Sequence, residues 1–231
     1  MGRVYGPDVV TSSLTDCWDA ANRASYPGAG TAWFDLANTN NCTLNNGVAF
    51  DSDYLGFMEF DGTDDYADTG VQIWDGVGDF SATAWFKTTS SSAYRDLITQ
   101  RENTSNSQNN GLWAIRAAPG SILQMVLRDT GNTYTRTTSL SGDYTDGIWH
   151  YVVIRRSGTT CYLSIDDIVE EVSVSAANDL AHANNVFRIG GVVAYSMYWD
   201  GGIASVTFYD AALSHEQIKQ NYNSVKARFG R

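Results

Sequence analysis

Two neighbouring stretches near the end of the chain, NNVFRIGG (184–191) and YWDGGIASVTFYDAALSHEQIKQNYNSVKARF (198–229), decide the class of fold. Within the second stretch, Ala204, Val206 and Phe208 alternate with more polar neighbours, and this period of two is typical of a strand with one buried face. The first stretch is a short apolar run that ends in two glycines. The order is therefore strand, loop and strand, with one further element behind them.

The residues that follow the second strand predict a single helix. Ser214 and Gln217 have the spacing of a capping box, in which each side chain bonds the backbone N–H of the other. Leu213 and Ile218 flank the cap at the spacing of a hydrophobic staple. One face of the helix carries Ile218, Tyr222, Val225 and Phe229. The sequence therefore predicts an amphipathic helix that closes a chain rich in strands.

Short strand patterns also recur through the middle of the chain, separated by Gly, Asn, Asp and Ser. They lie at residues 80–87, 94–101, 111–117, 122–128, 134–138, 148–156, 161–165, 168–174 and 186–189. No helical pattern is interleaved with them, which argues against a parallel α/β sheet and favours an antiparallel sandwich. The 231 residues suffice for one large β domain.

Charge and composition argue against two classes of partner. The formal net charge of −11 belongs to an acidic globular chain, which repels phosphate backbones, so we expect no nucleic-acid binding. No apolar run approaches the ~18 residues of a membrane-spanning helix, so we expect no membrane insertion. The first residues, MGRVYGPDVVTSS, lack the apolar centre of a secretory signal and predict an extended arm over residues 1–13.

The three cysteines, Cys17, Cys42 and Cys161, are too few and too uneven in number to make a disulfide framework. Cys161 lies in a predicted strand, where a small buried side chain is expected. Cys17 and Cys42 both lie in the N-terminal part of the chain and could pair with each other. Two free thiols in a reducing compartment are the alternative, and the sparse cysteine usage favours it.

Four blocks of sequence together resemble the laminin-G-like jelly rolls of the concanavalin A-like lectin/glucanase superfamily. They are FDGTDDYADTG (60–70), FSATAWFKT (80–88), GIWHYVVIRRSGTTCYLSIDD (147–167) and the closing block quoted above. The resemblance implies an all-β fold over residues 14–231, an antiparallel two-sheet jelly-roll sandwich with one short C-terminal α-helix. Two neighbouring positions depart from the family, because Ala204 and Ser205 stand where relatives commonly carry an acidic pair.

Glycoside hydrolysis is the first activity to test, because glucanases share this fold. It needs two carboxylates across the scissile bond, and laminarinase-like relatives carry them on one strand as Glu-x-Asp-x-x-Glu, a string that does not occur in this chain. The nearest acidic cluster comprises Asp166, Asp167, Glu170 and Glu171, which we expect in a solvated turn and edge strand. We therefore predict that the chain is not an enzyme and has no catalytic residues.

A metal site is the second test. Asp61, Asp64, Asp65 and Asp68 lie within the FDGTDDYADTG block, and Ca²⁺ takes several oxygen ligands at flexible spacing. Many laminin-G-like and pentraxin-like domains bind Ca²⁺ at one edge of the sandwich, so the resemblance implies Asp61, Asp64 and Asp65 as candidate ligands. A hairpin turn selects the same Asp and Gly residues without a metal, and we favour this interpretation, under which the chain needs no cofactor.

Sugar binding is the third test. It needs exposed aromatic faces beside polar side chains, because the C–H faces of a sugar stack on rings while its hydroxyls take hydrogen bonds. The loop AYSMYWDGG (194–202) offers Tyr195, Tyr198, Trp199 and Asp200 as a candidate surface for a glycan or a protein partner. Aromatic rings at the end of a sheet also cap the core, so the loop has two interpretations.

A narrower resemblance suggests a biological setting. Three segments are similar in sequence to laminin-G-like modules in structural proteins of tailed bacteriophages, which decorate capsids or form tail and fibre parts. They are DAANRASYPGAGTAWFDL (19–36), FDGTDDY (60–66) and DAALSHEQIKQNYNSVKARFG (210–230). This resemblance implies a non-enzymatic virion protein, assembled in the host cytoplasm, whose partners are other virion proteins, copies of itself or a cell-surface glycan. The alternative is a free, extracellular carbohydrate-binding module, and a glycoside hydrolase ranks behind both.

Overall fold

The computed structural model describes residues 8–102, 111–129, 135–140, 142–168, 170–175, 179–180 and 184–231. The strands are β1 (Leu14–Asp19), β2 (Ala32–Trp33), β3 (Cys42–Asn45), β4 (Ala49–Asp51), β5 (Phe57–Asp61), β6 (Tyr66–Asp68), β7 (Phe80–Phe86), β8 (Arg95–Arg101), β9 (Leu112–Ala118), β10 (Ile122–Arg128), β11 (Thr135–Leu140), β12 (His150–Ser157), β13 (Thr160–Ile165), β14 (Glu170–Ser175), β15 (Val186–Ile189) and β16 (Asp200–Tyr209). The helix is α1 (His215–Val225), and 3₁₀ turns lie at Asp53–Leu55, Val193–Tyr195 and Lys226–Phe229.

The strands form two antiparallel sheets of eight strands each. The first sheet has the order β14-β13-β12-β7-β16-β5-β4, and β1 pairs with the second half of β16. The second sheet has the order β11-β10-β9-β8-β15-β6-β3-β2. The predicted all-β, two-sheet jelly-roll sandwich with one short C-terminal helix is confirmed. The strands predicted between residues 80 and 189 agree with the observed bounds to within two residues at either end.

The main hydrophobic core fills the space between the two sheets and is rich in aromatic rings. Trp18 of β1 stacks on Phe187 of β15 with ring centroids 5.4 Å apart. Phe80 of β7 stacks on Phe208 of β16 at 5.6 Å. These pairs join strands that are far apart in the sequence, so burial of their apolar area holds the sandwich together.

The helix covers part of the outer face of the first sheet. Its capping box is present, since the Ser214 side chain accepts from the Gln217 N–H and the Gln217 side chain accepts from the Ser214 N–H. Leu213 and Ile218 are both buried in the cluster beneath the helix, as the staple predicts. Trp85 of β7 stacks there on Tyr222 at 5.5 Å. The cap and the staple thus position the helix on the sheet.

One detail of β16 differs from the predicted alternation. Val206 and Phe208 face the main core, whereas Ala204 packs in the cluster beneath the helix. The pairing of β16 with β7 shifts between Ile203 and Ser205. Such a bulge adds one residue to one strand and reverses the faces of the side chains before it. The prediction that Ala204 lies on the same face as Val206 is therefore wrong.

The last part of the predicted arm, residues 8–13, lies against the chain's own sandwich. The Val10 N–H donates to Asn221 Oδ1 at 2.8 Å, and the Tyr209 hydroxyl donates to the Val10 carbonyl at 3.1 Å. Asn221 Nδ2 in turn donates to the Tyr209 hydroxyl oxygen at 3.0 Å. These residues therefore tie the arm to α1. The first seven residues of the predicted arm lie outside the described residues.

Two further expectations concern cysteines and membranes. Cys17, Cys42 and Cys161 are separate thiols, and burial raises the pKa of Cys17 and of Cys161 to about 12.

In the part of the chain that the structure describes, no helix combines the length and the apolar character needed to cross a membrane.

Candidate functional site

Arg95, at the start of β8, connects the acidic turn at residues 61–65 to the aromatic loop at residues 195–200. In the sequence these two segments are separate candidate sites. Its Nη1 donates to the carbonyl oxygens of Gly62 and Tyr198, both at 2.8 Å, and its Nη2 lies 3.6 Å from Asp200 Oδ2. Antiparallel pairing of β5 with β16 sets Asp61 directly opposite Asp200. The acidic turn and the loop before β16 therefore form one surface, which we call the Asp61–Asp200 edge (residues 59–66 and 198–202).

Trp199 lies inside the sandwich and not on its surface. Its side chain is 0% exposed, and its ring meets the Phe86 ring edge-on at 5.5 Å. The backbone fixes this direction, because the Trp199 N–H donates to the Gly190 carbonyl at 2.8 Å and successive side chains of an extended segment point to opposite faces. Asp200 consequently points outward. The prediction that Trp199 offers an exposed aromatic face is wrong.

The two tyrosines of the loop are also largely covered. Tyr198 is buried, and this burial raises the pKa of its phenol. Tyr195 is half-buried beside the guanidinium of Arg101, whose carbon lies 4.3 Å from the ring centroid. Asp200 keeps a side chain that is 47% exposed. A role of this loop in partner binding stays a prediction, and Asp200 is the predicted residue best placed to fulfil it.

The acidic turn brings three of its four aspartates together. One carboxylate oxygen from each of Asp61, Asp64 and Asp65 lies within 4.8 Å of the others. Asp68 is separate, because its Oδ2 accepts from Arg188 Nε at 2.9 Å. The structure thus groups the three aspartates that the resemblance implied as Ca²⁺ ligands.

Asp65 is the member of this group that needs a partner. Its side chain is buried, and its Oδ1 has no hydrogen-bond partner among the described residues. Burial raises the pKa of Asp65, and the charges of Asp61 and Asp64 add to the rise. The Thr63 N–H, which donates to Asp61 Oδ1 at 2.8 Å, lowers the pKa of Asp61. A buried carboxylate oxygen without a donor among the described residues, beside two further carboxylates, fits a divalent cation that prefers oxygen ligands. These contacts favour the Ca²⁺ interpretation of the turn over the metal-free hairpin that the sequence favoured.

We expect Ca²⁺ to bind this group and to raise the melting temperature. At a Ca²⁺ concentration about 100 times Kd, binding adds ~2.7 kcal/mol of stability, or roughly 5–10 °C for a chain of this size. Asp65→Asn should abolish the increase, whereas Asp53→Asn, at an exposed position outside the group, should retain it. Calorimetric titration and thermal melts with Ca²⁺ and with a chelator measure this, and identical melts of the unmodified protein would contradict it.

A polar cavity of about 190 Å³ opens beside the Asp61–Asp200 edge. Its lining residues come from β5, the loop after β7, the loop before β12 and the start of β16, and they are Glu59, Lys87, Thr88, Thr89, Gly147, Asp200 and Gly201. Gly201 has a φ of +135°, and a Cβ atom there would collide with the Lys87 carbonyl oxygen. Glycine is therefore required at position 201 for the close approach of β16 to the Lys87 backbone in the cavity wall.

Glu59 brings a carboxylate to the wall of this cavity. Its Oε2 is buried and has no hydrogen-bond partner within the described ranges. Burial raises the pKa of the Glu59 carboxyl, and the charge of Lys87 opposes the rise. The Lys87 ammonium lies 4.1 Å from the ring centroid of Phe57 and 5.5 Å from that of Trp149. The cavity wall thus combines a carboxylate with a positively charged donor.

An exposed aromatic ring lies next to the same two rings. Tyr54 is 45% exposed, and its ring centroid lies 6.4 Å from that of Phe57 and 5.7 Å from that of Trp149. Tyr54 and Leu55 have φ values of 52° and 70°, which non-glycine residues rarely adopt. Arg228 holds this turn by donating to the carbonyl oxygens of Tyr54 and of the glycine at position 56. The C-terminal segment therefore fixes the position of the ring.

Sequence reasoning missed Glu59, Lys87 and Tyr54. For Glu59 a signal exists, because residues 59–64 read Glu-x-Asp-x-x-Asp and differ from the glucanase string only in the last residue type. The alternation also puts Glu59 on the outer face of β5, on the side of Phe57. For Tyr54 no local pattern predicts consecutive left-handed residues.

The second acidic cluster is also different from the prediction. Asp166 lies in the turn after β13, as expected, but it is buried and not solvated. It accepts from Arg231 Nη2 at 2.7 Å and from the Tyr151 N–H at 3.0 Å, and its Oδ2 lies 3.0 Å from His150 Nδ1. These contacts give Asp166 a structural role that joins β12 to the C-terminal segment.

A larger cavity of about 350 Å³ lies elsewhere, beside β1 and the start of the loop after β16. Burial raises the pKa of Asp16, one of its lining residues, to about 6. Both carboxylate oxygens of Asp16 already have partners, since Asn40 Nδ2 donates to Oδ1 at 2.6 Å and Thr15 Oγ1 donates to Oδ2 at 2.8 Å. This carboxylate is satisfied within the protein, in contrast to that of Glu59.

Comparison with known proteins identifies the family. Residues 61–219 match a laminin-G-like family model described as concanavalin A-like lectin/glucanases superfamily. The chain belongs to this family. No curated protein sequence matches it.

Solved structures with a similar fold include three toxin domains. The ligand-binding domain of botulinum neurotoxin serotype D, in complex with N-acetylneuraminic acid, has a TM-score of 0.67 and 16% identity, over 91% of this chain and 50% of that one. The receptor-binding domain of botulinum neurotoxin type G has a TM-score of 0.63 and 14% identity, over 91% of this chain and 51% of that one. The binding domain of Paraclostridial Mosquitocidal Protein 1 has a TM-score of 0.68 and 15% identity, over 92% of this chain and 52% of that one. The chain spans about half the length of each, and identities this low show the fold alone.

Proposed function

We propose that the chain is a non-enzymatic binding module that holds a glycan in the cavity beside the Asp61–Asp200 edge. The observation that carries this proposal is the cavity wall, which combines the Glu59 and Asp200 carboxylates with the side chain of Lys87. The Lys87 ammonium also lies over the Phe57 ring, against which the exposed Tyr54 ring packs. The hydroxyls of a glycan can donate to such carboxylates and accept from the ammonium. Sugar sites combine such polar groups with an aromatic face.

The family and the fold support a recognition role. The solved structures described above are ligand- or receptor-binding domains, and one of them holds N-acetylneuraminic acid. The fold itself hosts both lectins and glucanases, so the site and not the fold has to carry the argument. In this chain the site offers hydrogen-bonding groups at fixed positions, since Arg95 ties the two halves of the edge together.

A glycan array and calorimetry test the proposal. We expect the protein to bind at least one class of glycan and expect Lys87→Ala to weaken that binding at least tenfold, because it removes the charged donor from the cavity wall. Lys219→Ala is the matched control, since Lys219 is an exposed lysine of α1 outside the cavity. Thermal melts of both variants verify folding. Binding that is equal in the two variants would show that the cavity is not the site.

We propose further that this module belongs to a virion structural protein, as a capsid decoration or a tail or fibre part. The support is the resemblance of three blocks of the sequence to such modules in tailed bacteriophages. Other virion proteins or copies of this chain would then be its partners, with a host-surface glycan as the ligand. Mass spectrometry of purified particles tests this setting, and consistent absence of the chain from them would refute it.

One observation favours a hydrolase as a second candidate. The cavity contains two carboxylates, Glu59 and Asp200, and the raised pKa of Glu59 is typical of a general acid. Against it, Asp200 is already paired with Arg95, and Asp61 on the same strand accepts hydrogen bonds within its own turn. Release of reducing ends from β-glucans by the unmodified protein, and its loss in Glu59→Gln, would favour the hydrolase over the binding module.

A further inference from the structure

We propose that the cavity selects neutral sugars with free vicinal hydroxyls and excludes acidic sugars. This inference rests on the proposed function, glycan binding at the same site, and it adds the class of ligand. It is carried by the types of polar group that line the cavity, by the charges around it and by the position of Tyr54.

The lining residues offer more acceptors than donors. The hydroxyl of Thr88 is already engaged, because it donates to the Asp200 carbonyl and accepts from the N–H of residue 90. The other side chains that bring polar groups to the cavity wall are the Glu59 carboxylate, the exposed Asp200 carboxylate, the Thr89 hydroxyl and the Lys87 ammonium. A sugar diol matches this set, since one hydroxyl can donate to a carboxylate while its neighbour accepts from the ammonium.

The surrounding charges oppose an anionic ligand. Burial is the main cause of the raised pKa of Glu59; the charge of Lys87 opposes the rise, and the negative charges of Asp51 and Asp200 add to it. Arg95, a cation of the same edge, is engaged with Asp200 and two carbonyl oxygens. A sugar carboxylate or sulfate would therefore face two carboxylates, those of Glu59 and of the Arg95-paired Asp200, with Lys87 as the lining cation. Like-charge contacts of this kind disfavour a ligand.

Tyr54 supplies the aromatic face that a neutral sugar needs. Its ring packs against Phe57 and Trp149, the two rings above which the Lys87 ammonium lies. Its backbone is held in a conformation that costs of order 1–3 kcal/mol per residue and persists only where the surroundings enforce it. Such strain is concentrated at ligand sites. Tyr54 does not line the cavity, but Lys87 both lines it and lies over these two rings. A glycan that extends from the cavity past Lys87 would then stack its C–H face on the Tyr54 ring.

The test compares immobilised neutral oligosaccharides with sialylated, uronate-containing and sulfated ones. We expect the protein to bind neutral glycans at least tenfold more tightly than acidic ones. Glu59→Gln should weaken neutral binding at least tenfold, because an amide replaces the carboxylate in the cavity wall at nearly the same size. Tyr54→Ala should also weaken it, whereas Tyr54→Phe should retain it because stacking needs no hydroxyl. Glu216→Gln, an exposed position on α1, is the matched control.

The outcomes separate the two proposals. If no glycan of any class binds, glycan binding itself is wrong and this inference falls with it. If acidic glycans bind more tightly than neutral ones, or if Glu59→Gln leaves neutral binding unchanged, the neutral-sugar inference is overturned while glycan binding stands. Neutral preference that depends on Glu59 and on the Tyr54 ring supports the inference.

Discussion

Replacing Trp199 with alanine is expected to lower the free energy of unfolding by about 3–5 kcal/mol, the range typical of a large buried aromatic side chain. The ring is fully buried and packs edge-on against Phe86 in the main core, so its removal leaves a cavity between the sheets. Because the ring does not reach the surface, glycan binding should be unchanged under conditions where the variant is folded. Urea unfolding, with glycan binding measured below the transition, checks both expectations.

Val77→Ala is the comparison for this prediction, because Val77 is an exposed apolar residue. It should change the free energy of unfolding by less than about 0.5 kcal/mol. A Trp199→Ala variant that is as stable as the unmodified protein but binds no glycan would contradict this prediction. It would support the exposed, ligand-binding role of Trp199 that the sequence suggested.

Replacing Asp166 with alanine is expected to cost about 2–4 kcal/mol, because several groups lose a buried, charged acceptor at once. The carboxylate receives hydrogen bonds from Arg231 and the Tyr151 N–H and contacts His150. The matched control is Asp53→Ala, since Asp53 is exposed on a surface turn. Chemical unfolding measures both, and equal stabilities of the two variants would contradict the structural role of Asp166.

The same contacts predict a dependence on pH. Burial acts to raise the pKa of Asp166, but the hydrogen bonds from His150 and the Tyr151 N–H, with the charge of Arg231, outweigh it and lower the pKa. A carboxyl with a lowered folded pKa stabilises the protein above its unfolded pKa of ~3.9, and this contribution is lost as pH falls through the folded pKa. Asp166→Asn should therefore show a flatter loss of stability below about pH 4. Parallel curves for variant and unmodified protein would exclude this role.

Much of the fold can be predicted from the sequence because its signals are local. The alternation in the middle strands and the Ser214–Gln217 box each depend on residues a few positions apart. The bulge before Ser205 could not be predicted, since it is a property of the pairing between β16 and β7. A strand pattern assumes a constant period, and one extra residue reverses the assignment of faces.

The candidate site was less predictable, because distant contacts assemble it. Arg95 brings the Gly62 turn and the Tyr198 loop together across more than a hundred residues of sequence. The direction of Trp199 depends on a backbone hydrogen bond to another loop. The Tyr54 turn depends on Arg228 near the end of the chain. Composition marks all of these segments as polar or aromatic loops, but only tertiary contacts decide which side chains are exposed.

The bulge in β16 also has a thermodynamic consequence. Through it, a single strand places Ile203 and Phe208 in the core between the sheets, and Ala204 and Tyr209 in the cluster beneath α1. If either cluster loses its packing, the backbone of β16 becomes exposed, and the packing of the other cluster on the same strand is disrupted as well. We therefore expect α1 and the sandwich to unfold together, as one cooperative unit.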